Sequence, residues 1–178
     1  LVRPDTLRKA LRPETVLVSV MAVNNEVGAR EPVEELAAAV KAYDPRILFH
    51  TDAVQAFGKV RIEPKKAGID LLSASAHKIH GPKGIGFLYI RDKVRILPIL
   101  YGGEQQKGIR SGTENMPGIV GFGMASKLAF ESFDKNVSRM YDLKERLQTG
   151  LEMLEGYALR PDRPAPAIKR PSVRRCMP

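Results

Sequence analysis

The sequence predicts an α/β domain with a mainly parallel sheet and flanking helices. Three observations carry this expectation. Short apolar runs rich in β-branched residues recur along the chain, segments with a helical period lie between and after them, and polar clusters follow the runs directly. In sheets of that kind, ligands gather beyond the carboxyl ends of the parallel strands.

Taken in order, Thr15–Val23 (TVLVSVMAV) is almost continuously apolar and reads as a strand buried on both faces. After Pro32, the segment Val33–Ala42 places apolar residues at 33, 36, 37 and 40 and has Glu34 and Glu35 near its start. That pattern predicts an amphipathic helix with acids facing its amino-terminal dipole. Arg46–His50, Asp70–Ser75 and Gly86–Ile90 read as three further strands. From about Gly118 to Leu154 the period becomes helical, with breaks expected near Phe133–Asn136 and at Gly150.

Composition narrows the function classes. The chain has 178 residues and one cysteine, which excludes a disulfide framework and suits a reducing cytoplasm. No apolar run approaches the roughly 18–20 residues of a membrane span, and Leu-Val-Arg-Pro-Asp does not read as a signal peptide. A start at leucine suggests that an N-terminal part is missing. The net charge of +9 is uneven: residues 160–178 hold six Lys/Arg against Asp162 alone, together with five of the 13 prolines. This tail has no aromatic residue, so direct nucleic-acid binding is not expected, and without a spanning run no membrane partner is expected either. Its prolines and like charges predict disorder.

The polar clusters are Asn24-Asn25-Glu26, then Thr51, Asp52 and Gln55, then His77, Lys78 and His80. They are expected to converge from three strand ends. Lysine is ordinarily a solvated charge, but Lys78 directly follows an apolar strand. Burial favours the uncharged amine, which can condense with a carbonyl, and His77 beside it can move protons. The plain alternative is a strand-end pair facing solvent. Asp52 reads either as a helix cap or as a carboxylate that keeps a heterocyclic nitrogen protonated. Gln55 can donate to a phenolate oxygen, and Asn25 can do the same from the neighbouring strand end. His77 and His80 with His50 or Asp52 can be pictured around zinc, but no cysteine or helical spacing supports a metal site. Ten of the 15 glycines fall between residues 81 and 123. They allow close backbone approach without forming a Walker A loop.

Four motifs, VSVMAVNNEVG (18–28), FHTDAVQAFGK (49–59), DLLSASAHKIHGPKGIGFLYI (70–90) and GIRSGTEN (108–115), together resemble the cysteine desulfurases. These are pyridoxal-phosphate enzymes of class V aminotransferase type and fold type I. The resemblance spans about residues 1–156, the expected partial large domain, and leaves 157–178 as a tail outside the family. It implies that Lys78 forms the Schiff base with the cofactor and that Asp52 pairs with the pyridinium nitrogen. It also implies that Asn25 and Gln55 contact the phenolic oxygen side. Ser75 and His77 would bind the phosphate, with His77 also serving in proton transfer. Thr113 would reach the phosphate across a homodimer interface.

The implied reaction converts L-cysteine to L-alanine and leaves a persulfide on the enzyme. That persulfide supplies an acceptor or scaffold protein for iron–sulfur clusters or tRNA thiolation. The family's cofactor-stacking histidine and small-residue phosphate loop fall upstream of Leu1, and its Ser/Gly-rich loop with the nucleophilic cysteine has no counterpart here. Cys176, in Arg-Arg-Cys-Met-Pro, lacks that context and receives no role. The chain is therefore expected to be inactive alone, and its abrupt tail reads as a shifted frame or an unrelated end. Another class V enzyme, such as a selenocysteine lyase or an aminotransferase, or a non-catalytic fragment keeping a dimer surface, is the alternative.

Overall fold

The computed structural model describes residues 1–154. The expected tail 157–178, Cys176 included, lies outside the described residues.

Helix α1 (Pro4–Ala10) leads into strand β1 (Leu17–Met21), helix α2 (Val33–Tyr43) and strand β2 (Leu48–Asp52). Strand β3 (Leu71–Ser75) runs directly into a 3-10 turn (Ala76–Ile79), and β4 (Gly86–Ile90) follows. A second 3-10 turn (Gln105–Gly108) precedes the long helices α3 (Met116–Glu131) and α4 (Phe133–Glu152). The sheet order is β1-β2-β3-β4, with β1, β2 and β3 parallel and β4 antiparallel. Direction follows connection length: only residues 76–85 join β3 to β4, too few for the crossover that a parallel neighbour needs. The expected α/β architecture with a mainly parallel sheet is therefore present.

One face of the sheet makes the core. Phe49, Thr51, Leu72 and Ala74 alternate along β2 and β3 and are all buried. Phe49, Leu72 and Ala74 join Leu36, Ala37 and Val40 of α2 and Phe122 of α3 in one cluster. Phe57 meets Phe87, Phe122 and Phe130 edge-on at centroid distances of 5.2, 5.9 and 5.4 Å, which ties α3 to the same side. Each large apolar side chain fully buried here contributes roughly 1.5–3 kcal/mol. At Gly86 an added Cβ would stand 2.6 Å from the Ala74 carbonyl oxygen, so this strand end admits no side chain.

The amino-terminal ends of β2 and β3 are locked by a buried charge. Asp70 is 3% exposed, accepts the Phe49 N–H at 2.8 Å, and ion-pairs with Lys41 at the end of α2. Lys41 also donates to the Ile47 carbonyl at 2.7 Å, and Arg91 stands 3.5 Å from the other Asp70 oxygen.

Several expectations need correction. The first strand is shorter than Thr15–Val23 and is not buried on both faces. Its Leu17 and Ser19 are exposed, because β1 is an edge strand and the second sheet face carries a row of polar groups. The second strand runs from Leu48 to Asp52, two residues later than Arg46–His50, because Arg46 instead clasps Asp44 just after α2 with a shortest contact of 2.7 Å. Helix α1 was not foreseen: its seven residues are mostly polar and carry little apolar period. The helical break comes at Ser132, whereas Gly150 sits inside α4 without interrupting it.

Candidate active site

The carboxyl ends of β1, β2 and β3 all lie at the same edge of the sheet, since the three strands are parallel. Asn25 follows β1 in a turn where the Asn24 side chain accepts the N–H groups of Glu26 and Val27. Asn25 itself is exposed and donates its amide to Glu26 at 2.7 Å.

Asp52 is the last residue of β2 rather than part of the following loop, and it is half-buried. Its Oδ1 accepts the Val54 N–H at 2.9 Å. No helix follows β2 among the described residues, so this contact closes a turn rather than capping a helix, and it engages one oxygen. Oδ2 has no hydrogen bond among the described residues. Thr51, grouped with Asp52 in the sequence, points the other way: it is fully buried and donates to the Val20 carbonyl at 2.9 Å. Strand alternation places it in the core. Gln55 is half-buried in the turn after β2, with its amide unengaged among the described residues.

From β3 come Ser75, His77, Lys78 and His80. Ser75 Oγ lies 2.8 Å from His77 Nδ1 and 3.4 Å from the Ile85 carbonyl oxygen, so the strand end and the turn after it are tied together. Lys78 is half-buried in the 3-10 turn. Its amine makes no hydrogen bond or ion pair among the described residues. His80 is exposed and left-handed (φ 67°), closing that turn. Thr113 sits on the exposed loop before α3 and has no hydrogen bond to the strand-end groups among the described residues. No group of three or more metal-ligating side chains occurs among the described residues.

The sequence reading missed a neighbouring polar chain. His50 Nδ1 is 2.7 Å from Ser19 Oγ, and its Nε2 is 3.3 Å from Ser73 Oγ. Burial pushes the imidazole below the ordinary histidine range, and the nearby Asp52 carboxylate opposes that shift. The signal was available, because the period of two puts Ser19, His50 and Ser73 on the face opposite the core.

The donor set has a definite chemistry. A carboxylate oxygen without a partner can hold a protonated ring nitrogen, and an unpaired amine can condense with a carbonyl. Amide, hydroxyl and imidazole groups can meet anionic oxygens.

Comparison with known proteins adds a family. The profile of the family Aminotransferase class-V matches residues 1–174. The chain is 49% identical over 144 residues to a cysteine desulfurase IscS of Dictyoglomus turgidum, covering 81% of this chain and 36% of the relative. A solved NifS-like protein superposes with a TM-score of 0.85 at 44% identity, covering 89% of this chain and 43% of its own. A structure of SspA in complex with cysteine superposes at 0.68 with 42% identity, covering 71% and 36%. The chain thus spans between about a third and a half of the length of these relatives.

Proposed function

Since this chain belongs to the class V aminotransferase family, we propose that it is part of the large, cofactor-binding domain of a pyridoxal-phosphate-dependent cysteine desulfurase. Residues 1–156 would make up that part. The single observation that carries the reading is that Asp52 ends β2 and Lys78 sits in the turn directly after β3, its parallel neighbour. Both lie toward the carboxyl end of the sheet, with Asp52 Oδ2 and the Lys78 amine unengaged among the described residues. Half-identity to an IscS and likeness to a structure holding cysteine support cysteine as the substrate.

The residues fit pyridoxal phosphate by their chemistry. When bound, that group supplies an aldehyde and a ring that withdraws electrons from a substrate amino acid. Asp52 would hold the ring nitrogen protonated through the oxygen that the Val54 N–H leaves free. Gln55 and Asn25 would donate toward the phenolic oxygen. Ser75 and His77, already joined at 2.8 Å, would bind the phosphate, and the His77 imidazole would also carry a proton during the reaction. Lys78, its amine unengaged among the described residues, would hold the aldehyde.

Within the same reading the protein works as a homodimer in the cytoplasm, with Thr113 facing the partner's site and a sulfur-acceptor or scaffold protein as its client. Large apolar side chains near Thr113 support a covered surface there, since Leu97, Ile99 and Tyr101 are 81–89% exposed. The test is the product formed from L-cysteine by the full-length gene product. Alanine together with protein-bound persulfide is expected. Amino-group transfer to a keto acid without sulfur release would instead identify another class V reaction, and activity confined to selenocysteine would identify a lyase.

A further inference from the structure

His50 takes no part in the reading above, yet it is the most constrained polar side chain on the second face of the sheet. It stands directly opposite Ser19 in the β1–β2 pairing, while Ser73 is paired with Asp52 in the β2–β3 pairing. The imidazole therefore reaches sideways to one strand and diagonally to the other, meeting Ser19 Oγ at 2.7 Å and Ser73 Oγ at 3.3 Å. Asp52 follows two residues later on the same strand face, roughly 7 Å along β2. Among the described residues of β1 to β4, Asp52 is the only charged side chain on that face. Beyond the strands, His77, bound to Ser75, and Lys78 follow in the turn after β3.

We infer that His50 is a positioning residue for Asp52: bridging Ser19 and Ser73 across three strands, it sets the charge felt by the Asp52 carboxylate, so that protonating the imidazole loosens the grip of Asp52 on a protonated ring nitrogen. The inference rests on the cofactor reading of Asp52. Hydroxyl groups both donate and accept, so the bridge accommodates neutral imidazole and imidazolium alike. Protonation then changes charge while leaving geometry intact. A cation behind the carboxylate favours its ionised form and weakens its hold on the shared proton. Burial keeps the ring neutral near neutral pH, the state in which the grip is firm. Because linkage is reciprocal, a carboxylate that responds to His50 must in turn raise the proton affinity of His50.

Two measurements on the 178-residue chain decide this. In the first, nitrogen-15 NMR follows the ring nitrogens of His50 through a pH titration without cofactor. Asp52→Asn is expected to move the His50 midpoint to lower pH, and an unmoved midpoint overturns the proposal. In the second, pyridoxal phosphate is titrated by absorbance from neutral to mildly acidic pH. Affinity is expected to fall on the acid side several-fold further in the parent chain than in His50→Gln, which keeps Lys78 and His77 but cannot acquire the charge at position 50. The same acid-side fall in both chains overturns the proposal while leaving the cofactor reading intact. A chain that takes up no pyridoxal phosphate at any pH overturns both. Should His50→Gln not fold, the Asp52→Asn titration alone decides.

Discussion

Asp52 stands directly opposite Ser73 where β2 and β3 pair in parallel, and Lys78 lies five residues farther along the same outgoing chain. This strand pairing brings two distant stretches of sequence to the same end of the sheet. Everything inferred about chemistry depends on β2 and β3 keeping their register, and a slip of one residue would turn Asp52 into the core face that Thr51 occupies.

The lock at the opposite edge should therefore matter. Lys41→Met leaves Asp70 buried with only the Phe49 N–H and the more distant Arg91. A loss of about 3 kcal/mol is expected, read as a lower urea midpoint. The double variant Lys41→Met/Asp70→Asn should recover part of that loss, because no unpaired charge then remains in the core.

Stability should also carry the signature of His50. Its folded-state proton affinity is lowered, with burial as the main cause. The unfolded chain consequently binds more protons in the window between the lowered value and about 6.5. Stability is complete above that window, declines as pH falls through it, and levels off below. Urea midpoints measured between pH 7.5 and acid should show a step in the parent chain that His50→Gln lacks.

How much of this was legible beforehand follows from the residue types involved. The strands and α2 announced themselves through apolar runs and a clear period. Asp52, Ser75 and Lys78 were visible because each lies beside such a run. Thr51 was misjudged because a hydroxyl on a strand can satisfy itself on a neighbouring carbonyl, as it does at Val20. Helix α1 left no apolar stripe to read. The exposure of β1 was hidden because a sequence names no neighbour for an edge strand. The Ser19–His50–Ser73 bridge required the register, which spacing alone does not supply.

Self-association is the third expected outcome. Leu97 and Ile99 are 88% and 89% exposed, and Val120 and Met124 of α3 lie more than half exposed. Sedimentation velocity over a range of concentrations should reveal dimers or larger species, and Leu97→Ser with Ile99→Ser should shift the distribution toward monomer. A monodisperse monomer at every concentration would count against the covered surface proposed near Thr113.

The most direct measurement is covalent capture. The chain is loaded with pyridoxal phosphate, reduced with borohydride and digested, and the modified peptide is located by mass spectrometry. The account predicts one pyridoxyl group, attached at Lys78, with yellow colour and adduct both lost in Lys78→Ala and weakened in Asp52→Asn. A label spread over surface lysines, or one that persists undiminished in Lys78→Ala, would contradict it.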